Sequence, residues 1–441
     1  MYTLSTIAPI VHGQFISSSD NDPNINDILI DSRKLISPHG TLFIALKTKK
    51  NDGHKYIQAL YRRGLRNFLV SELPSDTTNL KQAHFIVVEN TLSALQTLVS
   101  HKRKTFNIPV IGITGSNGKT IIKEWLFQML QPDKEVIRSP KSYNSQLGVP
   151  LSVWQMKAQH ELAIFEAGIS EPEEMQKLQA IIQPTIGIFT NIGEAHAENF
   201  INNSQKIGEK LKLFTKVDTL IYNLDHAEIQ GIIIRSQILE SVKAFTWSTK
   251  QAADLQIIKT EKLDNKTHLT ALYKEKEIDI LIPFFDAASI ENACHVWASM
   301  LHLNYANETI KERMLKLNPV AMRLELKEGI NNCSIINDSY NSDINSLSIA
   351  LDFMNQQNQH TRKTLILSDI LQSGKSDMDL YTEIARLIDE KNLDRLIGIG
   401  PAISRMREEF KLESHFFQST EDFLNHFPLS NFQNETILLK G

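Results

Sequence analysis

A glycine-rich turn ending in Gly-Lys-Thr follows directly on a short apolar run: residues 112–120 read GITGSNGKT, behind Ile108-Pro109-Val110-Ile111. Backbone N–H groups at the mouth of a helix point at an anion, a lysine there adds a mobile positive charge, and a threonine hydroxyl can ligate Mg2+. The chemistry predicted is binding of a nucleoside triphosphate. The strict loop GxxxxGK[ST] needs its first glycine at position 113, which is Ile113, whereas the glycines fall at Gly112, Gly115 and Gly118. GxxGxxGKT is therefore a variant phosphate loop.

Other polar groups sit where apolar strand-like runs stop. Glu166 follows LAIF, Asn191 and His196 follow GIFT, Asp338 follows SIIN, and Asp369 follows LILS. Ligands of open α/β sheets gather at strand ends. Each residue alone fits a cap equally well, but beside a nucleotide loop hard oxygen ligands acquire a purpose, because Mg2+ on a triphosphate needs them. Glu166 ranks first as a metal ligand and His196 second, since imidazole is a less usual partner for this ion.

The elements that must position these groups follow from pattern. The first hundred residues give strands at 41–46, 67–70 and 84–88 and helices near 54–64 and 91–105, a small α/β domain. From Val110 the chain alternates strand and helix: PVIGIT into a helix at 119–130, ELAIFEAG into one at 171–182, then TIGIFTNIG and TLIYNLD. Such alternation predicts a mostly parallel sheet covered by helices. Residues 253–283 carry strands separated by Asp/Asn turns, a more antiparallel excursion, before helices at 288–302 and 307–316. Asn318-Pro319 marks a linker, after which SIIND, KTLILSD, RLIGIG and ETILLKG alternate with helices at 345–358, 377–391 and 401–410. The expected units are 1–106, 107–317 and 318–441. The last run stops inside a strand, so the third unit reads as truncated.

Bulk properties bound the function. A chain of 441 residues exceeds what one core usually organises. Its 47 basic and 51 acidic side chains give a formal charge of −4 with no block of like charge, which points away from nucleic acid and anionic membranes. Cys294 and Cys333, the only cysteines, support neither a disulfide framework nor a zinc site. The N-terminus lacks a basic and apolar leader, and no stretch approaches the roughly 18 apolar residues of a membrane span. The reading is a soluble cytoplasmic protein.

With these residues in view, the chain resembles the Mur ligases of peptidoglycan synthesis, ATP-dependent amide-bond formers, almost end to end. GITGSNGKT is similar to the family's TGTNGKT loop, YNSQLGVPLS to its Asn-Asn-x-x-Gly-x-Pro segment, and FEAGISEPEEM to its Glu-x-Gly strand end. TNIGEAHAENF with IGEKLKLF resembles the His-then-Lys-Gly-Glu stretch; AMRLE, NDSYNSD and LSDILQSG resemble third-domain signatures. DSRKLISPHGTLFIALKTKKNDGH resembles the UDP-sugar-binding domain of the last two ligases in the series. No Asp-Asn-Pro-Arg motif of the diamino-acid-adding type is present, so the resemblance is nearest to members that join D-alanyl-D-alanine to UDP-N-acetylmuramoyl-tripeptide.

That resemblance implies a three-domain α/β architecture with a central P-loop-type, mostly parallel sheet and a Rossmann-like C-terminal domain. It implies ATP and Mg2+, an acyl-phosphate intermediate, and no nucleic acid or membrane insertion. Lys119, Glu166, His196 and Lys210 would be the catalytic groups, with Thr120, Glu166, His196 and Lys210 around metal. Lys210 aligns with a lysine carried as a carbamate, with Lys212 as its rival. ATP contacts would come from Thr114, Gly115, Ser116, Asn117, Gly118, Lys119, Thr120, Asn292, Arg323 and Asp338. Ser32 and Arg33 would touch the uridine diphosphate and Asn144 the substrate.

Departures concentrate on the adenine and dipeptide sides. The usual Gly-x-His falls at Asp286 and Ala288, Asn337 replaces an aspartate, Asp343-Ile344 replaces Asn-Pro, and Gln372 stands for glutamate. In some bacteria such a ligase is fused to an alanine racemase, and the stop at LLKG leaves room for one beyond residue 441. The alternatives are the diamino-acid-adding ligase and an ATP-binding regulatory protein without ligation.

Overall fold

The computed structural model describes all residues except 1, 18–20, 49–50, 76–78, 194–198, 264–265, 341, 358 and 372. Its largest sheet has nine strands, running from edge to edge as 276–282, 266–273, 255–263, 243–248, 219–223, 186–189, 110–114, 162–166 and 136–138. Pairing is parallel from 136–138 through 255–263 and antiparallel in the last two ladders. Residues 255–282 thus form an antiparallel extension of a parallel sheet, as expected; its described turn is Lys274-Glu275, left-handed at both positions (φ +48° and +63°), while Asp264 and Asn265 lie outside the described residues. VIGIT, LAIFE, IGIF and TLIYN are buried at every position, because helices cover both faces.

Alternate residues of these strands enter different cores. Ile111, Ile113, Leu162, Ile164, Ile188 and Ile221 pack with helices Lys119–Leu130 and Ala287–His302. Val110, Ala163, Phe165, Phe189, Leu220 and Tyr222 face the other way. That second core does not stop at residue 106. It continues through Leu95, Leu98 and Val99 to Leu42, Ile44, Leu69, Ile86, Leu4 and Ile7 of the first unit. Burying each such aliphatic side chain is worth roughly 1.5–3 kcal/mol, so the first and central units share a hydrophobic interior.

Polar contacts add to the join. Arg103 donates to Ile182 O (2.9 Å) and Gln183 O (3.0 Å), capping helix Glu174–Ile182. Trp154 Nε1 donates to Asn26 O at 3.0 Å, and Lys102 lies 4.2 Å over the Trp154 ring. The first unit's own sheet orders strands 14–17, 84–87, 67–70, 41–44 and 27–29, parallel except for the first pair.

The third unit keeps separate cores around Leu347, Leu365, Leu396 and Leu438 and around Phe423, Phe427 and Phe432. Its six strands run 325–328, 334–338, 435–440, 362–368, 395–399 and 413–417, all parallel except the first pair. The final strand Glu435–Lys440 lies inside the sheet with a neighbour on each side. In the connecting segment Met322 and Leu324 both have left-handed backbone (φ +59° and +50°) on either side of Arg323. Non-glycine residues hold that conformation only at some cost.

Candidate active site

Parallel register brings three strand ends to one edge of the central sheet. Ile113 lies opposite Glu166, and Thr114 opposite Phe189. The turns that leave them, 115–118, 167–170 and 190–193, therefore converge, as strand-end sites do. Gly118 begins helix Lys119–Leu130 from left-handed backbone, φ +83°, which a glycine tolerates without penalty.

The loop is braced by the strand-end segment beside it. Ser116 N–H donates to Asn191 O (2.9 Å) and Asn117 N–H to Asn191 Oδ1 (2.9 Å), while Thr190 Oγ1 donates to Asn117 O (2.6 Å). Ser116 and Gly193 exchange two further bonds. With those two amides engaged, the helix N-terminal N–H groups from Gly118 to Thr120 stand at the mouth of the helix, where an anion would be held. Lys119 folds back onto Gly115 O and Ser116 O, both 2.7 Å away. Burial, aided by the Arg323 and Lys206 cations and opposed by Glu166, brings its ammonium down to about 8.

Thr120 Oγ1 donates to Glu166 Oε2 at 3.1 Å and shares a 2.9 Å contact with Ser142 Oγ. Glu166 has no exposed surface. Its second oxygen lies 3.0 Å from Lys123 Nζ. Lys210, also buried, donates to Gly115 O at 3.1 Å, and burial together with Lys119 and Lys206 pushes its ammonium well below the usual lysine range. Lys212 instead pairs with Glu209 at 2.6 Å and is partly exposed. Of the two lysines weighed from sequence, Lys210 is the one at the loop.

A cavity of about 380 Å3 runs from this loop to the third unit. Gly115 to Thr120, Asn144, Lys210, Asn292, Arg323 and Asp338 line it together with Tyr340 and Lys440. Asn292 lies over Gly118, where a Cβ would stand 2.3 Å from its Oδ1. Arg323 stacks 4.2 Å over Tyr340 and reaches Ser142 Oγ at 3.4 Å. Asp338 accepts from Lys440 Nζ (2.6 Å) and from Leu324 N–H (3.3 Å); burial raises its carboxyl despite Lys440.

Several expected residues are not among those that line this cavity. Thr114 is fully buried, its hydroxyl donating to Ala167 O at 2.8 Å, and it does not line the cavity. Ser32 and Arg33 form a turn on the first unit, with Arg33 exposed and paired to Asp31 at 2.9 Å. His196 lies outside the described residues. Asp369 accepts from Ala402 and Ile403 N–H at 3.1 and 2.8 Å, so it is a cap. Asp286, at the position of the family's glycine, caps helix Ala287–His302 through Ser289 N–H.

Sequence reasoning missed Lys123, Lys206, Ser142 and Lys440. Lys206 Nζ donates to Gly193 O at 2.5 Å and stands beside Lys119 and Lys210. Half-buried Lys119 and buried Lys206 and Lys210 thus crowd basic side chains at the loop, an arrangement that a polyphosphate would relieve.

Comparison with known proteins gives concordant results. Residues 113–300 match the Mur ligase middle domain family. The UDP-N-acetylmuramoyl-tripeptide–D-alanyl-D-alanine ligase of Rickettsia prowazekii is 30% identical over 431 residues, covering 96% of this chain and 93% of the relative. Among solved structures, MurF from Acinetobacter baumannii superposes with a TM-score of 0.85 at 23% identity, covering 100% of this chain and 95% of the other. MurF from Thermotoga maritima in complex with ADP gives 0.76 at 18% identity, with 94% of each chain covered. The expected racemase fusion finds no support in these names.

Proposed function

This chain belongs to the Mur ligase family, in the branch that joins D-alanyl-D-alanine to UDP-N-acetylmuramoyl-tripeptide, and on that premise we propose how its residues divide the work. ATP occupies the cavity between the central and third units, with its phosphates over Gly118, Lys119 and Thr120 and its base toward Asn292. The observation that carries this reading is the single cavity in which Lys119 and Lys210 meet Arg323 and Asp338 of the linker and third unit.

The tripeptide's terminal carboxylate attacks the γ-phosphorus, forming an acyl phosphate as the bond to the β-phosphate oxygen breaks and ADP leaves. The amine of D-alanyl-D-alanine then adds to the acyl carbon, loses a proton, and expels inorganic phosphate. Negative charge accumulates on phosphoryl oxygens in the first step, so fixed cations and positioning dominate. Lys119 exchanges its loop carbonyls for the phosphates, and Arg323 approaches from the linker.

Thr120 Oγ1 and Glu166 Oε2, hard oxygens 3.1 Å apart beside the loop, fit Mg2+. Held there, the ion would neutralise phosphate oxygens; His196 retains the role of a second metal ligand. Lys210, its ammonium destabilised by burial and two neighbouring lysines, is suited to combine with CO2 as a free amine, releasing a proton and leaving an anionic carbamate among cations. Ser32 and Arg33 hold the uridine diphosphate on the first unit, Asn144 the substrate side of the cavity. Closure of the third unit over the loop excludes water from the acyl phosphate.

The test is phosphate release measured with UDP-N-acetylmuramoyl-tripeptide and D-alanyl-D-alanine, together and separately. Release should require both. Stimulation by diaminopimelate or lysine in place of the dipeptide would sink the assignment.

A further inference from the structure

Lys123 lies one helical turn beyond Lys119 and has no exposed surface. Lysine is among the residues least often fully buried. Here its Nζ is 3.0 Å from Glu166 Oε1 and 3.0 Å from Glu124 Oε1, and it donates to Ser139 O (2.8 Å) and to Lys141 O. Those carbonyls belong to a strap, residues 139–142, that passes beside the phosphate loop. Ser139 Oγ accepts from Glu166 N–H at 3.3 Å, and Ser142 Oγ touches both Thr120 Oγ1 and Arg323 Nη2. Lys141 is held at φ +50°, a conformation that costs energy for a non-glycine residue.

Stability alone gives weak reason for this arrangement. A buried ion pair is often no better for the fold than apolar side chains of the same volume, because both charges must be desolvated. What the ammonium does is geometric. It engages one oxygen of Glu166 and leaves the other, Oε2, beside the Thr120 hydroxyl. It also clamps the strap that presents Ser142 to Thr120 and Arg323.

We propose that Lys123 is a positioning residue for the metal-nucleotide site, fixing Glu166 so that a single oxygen faces Thr120 and anchoring the 139–142 strap to the loop helix. The inference rests on the reading above in which Thr120 and Glu166 hold Mg2+. Outer groups that orient metal ligands typically contribute 10- to 100-fold to metal affinity, so Lys123 should act chiefly on the metal-dependent part of nucleotide binding.

The experiment is ADP binding by titration calorimetry, with Mg2+ and with EDTA, for the parent chain, Lys123→Met and Lys123→Gln. Glutamine keeps a donor for the two carbonyls but no charge toward Glu166. In the parent, Mg2+ should tighten ADP binding. In both variants that gain should shrink about 10-fold or more, while metal-free affinity stays within about threefold, the range of an ordinary surface substitution. In turnover the Mg2+ concentration for half-saturation should rise by a similar factor, with kcat at saturating Mg2+ reduced less.

The two readings fail differently. No Mg2+-dependent gain in the parent would overturn the metal assignment to Thr120 and Glu166. A gain present in the parent and kept in the folded variants would overturn the role of Lys123 alone. Equal loss of metal-free and metal-dependent affinity, or failure of both variants to fold, would assign Lys123 to the fold and overturn the inference.

Discussion

Gly115→Ala is the sharpest perturbation the loop offers, because its consequences divide into two countable parts. Gly115 has φ +146°, a region an alanine occupies at roughly 1–3 kcal/mol. A Cβ there would also stand 1.9 Å from Thr190 Oγ1 and 3.0 Å from Asn191 N and O. Asn191 cannot retreat cheaply, since it accepts both loop N–H bonds, and Thr190 must give up its bond to Asn117 O to move. Such overpacking costs about 1–3 kcal/mol. The sum, about 2–6 kcal/mol, falls on the loop; even its lower end corresponds to roughly 30-fold weaker nucleotide binding. Adding Thr190→Ala removes the worst clash but neither the Asn191 contacts nor the backbone strain, so the double variant should recover only part of the overpacking share. ADP titration calorimetry reads the binding, thermal unfolding the global fold, and binding of the UDP-linked acceptor the first unit, which should be little changed. A Gly115→Ala chain that binds ADP within about threefold of the parent and melts at the same temperature would refute the account of the loop.

Three further outcomes are expected. Lys210→Ala should lose most activity and regain part of it with millimolar formate or acetate, as a small carboxylate fills the place of the carbamate; no rescue at any concentration counts against the carbamate. Glu435→Gln breaks a buried pair in which Arg395 Nη2 reaches both carboxylate oxygens at 2.8 Å, at a cost of about 3–5 kcal/mol. All four tryptophans lie between residues 125 and 297, outside the third unit, so the loss should appear in the circular-dichroism transition and not in tryptophan fluorescence; coincident shifts would disprove separate unfolding. His295 is fully buried, its Nδ1 accepting from Trp247 Nε1 at 3.2 Å, and burial holds its imidazolium down to about 4. Against about 6.5 in the unfolded chain, the unfolded state binds the extra proton between these values. The stability this residue supports is therefore complete above pH 6.5 and falls by about 3 kcal/mol as pH drops to 4. His295→Gln should remove that slope from denaturant unfolding, and an unchanged slope would refute it.

What could be read from sequence was local. A Gly-Lys-Thr behind a buried strand places its helix at Lys119–Leu130, as found, and the helices at Thr91–Arg103, Asp377–Glu390 and Ala287–His302 begin and end within a few residues of their expected bounds, since their periodicity and caps are written in neighbouring residues. Convergence beyond the residues that the family resemblance supplied was not legible. Lys123 on a helix reads as a solvated lysine; only the approach of Ser139, Lys141 and Glu166, brought in by other strands, buries it. Asp369 looked like Glu166, yet the turn at Gly400 lies against it and turns it into a cap. The place of ETILLK inside the third sheet was not legible either, because its pairing partners at 334–338 and 362–368 are remote in sequence. Helix 171–182 starts later, at Glu174, because Glu173 turns left-handed at φ +68°.

The core that runs unbroken from Leu4 and Leu42 to Phe165 and Phe189 acts as a ruler. The span from the Ser32–Arg33 turn to the phosphate loop cannot lengthen or shorten without parting buried apolar surface. If the uridine diphosphate is held at that turn, as proposed above, an acceptor peptide one residue too short would leave its carboxylate short of the loop, and one too long would overshoot it. On that proposal the length of the acceptor peptide would be set by a fixed distance across the first and central units, held by their shared core.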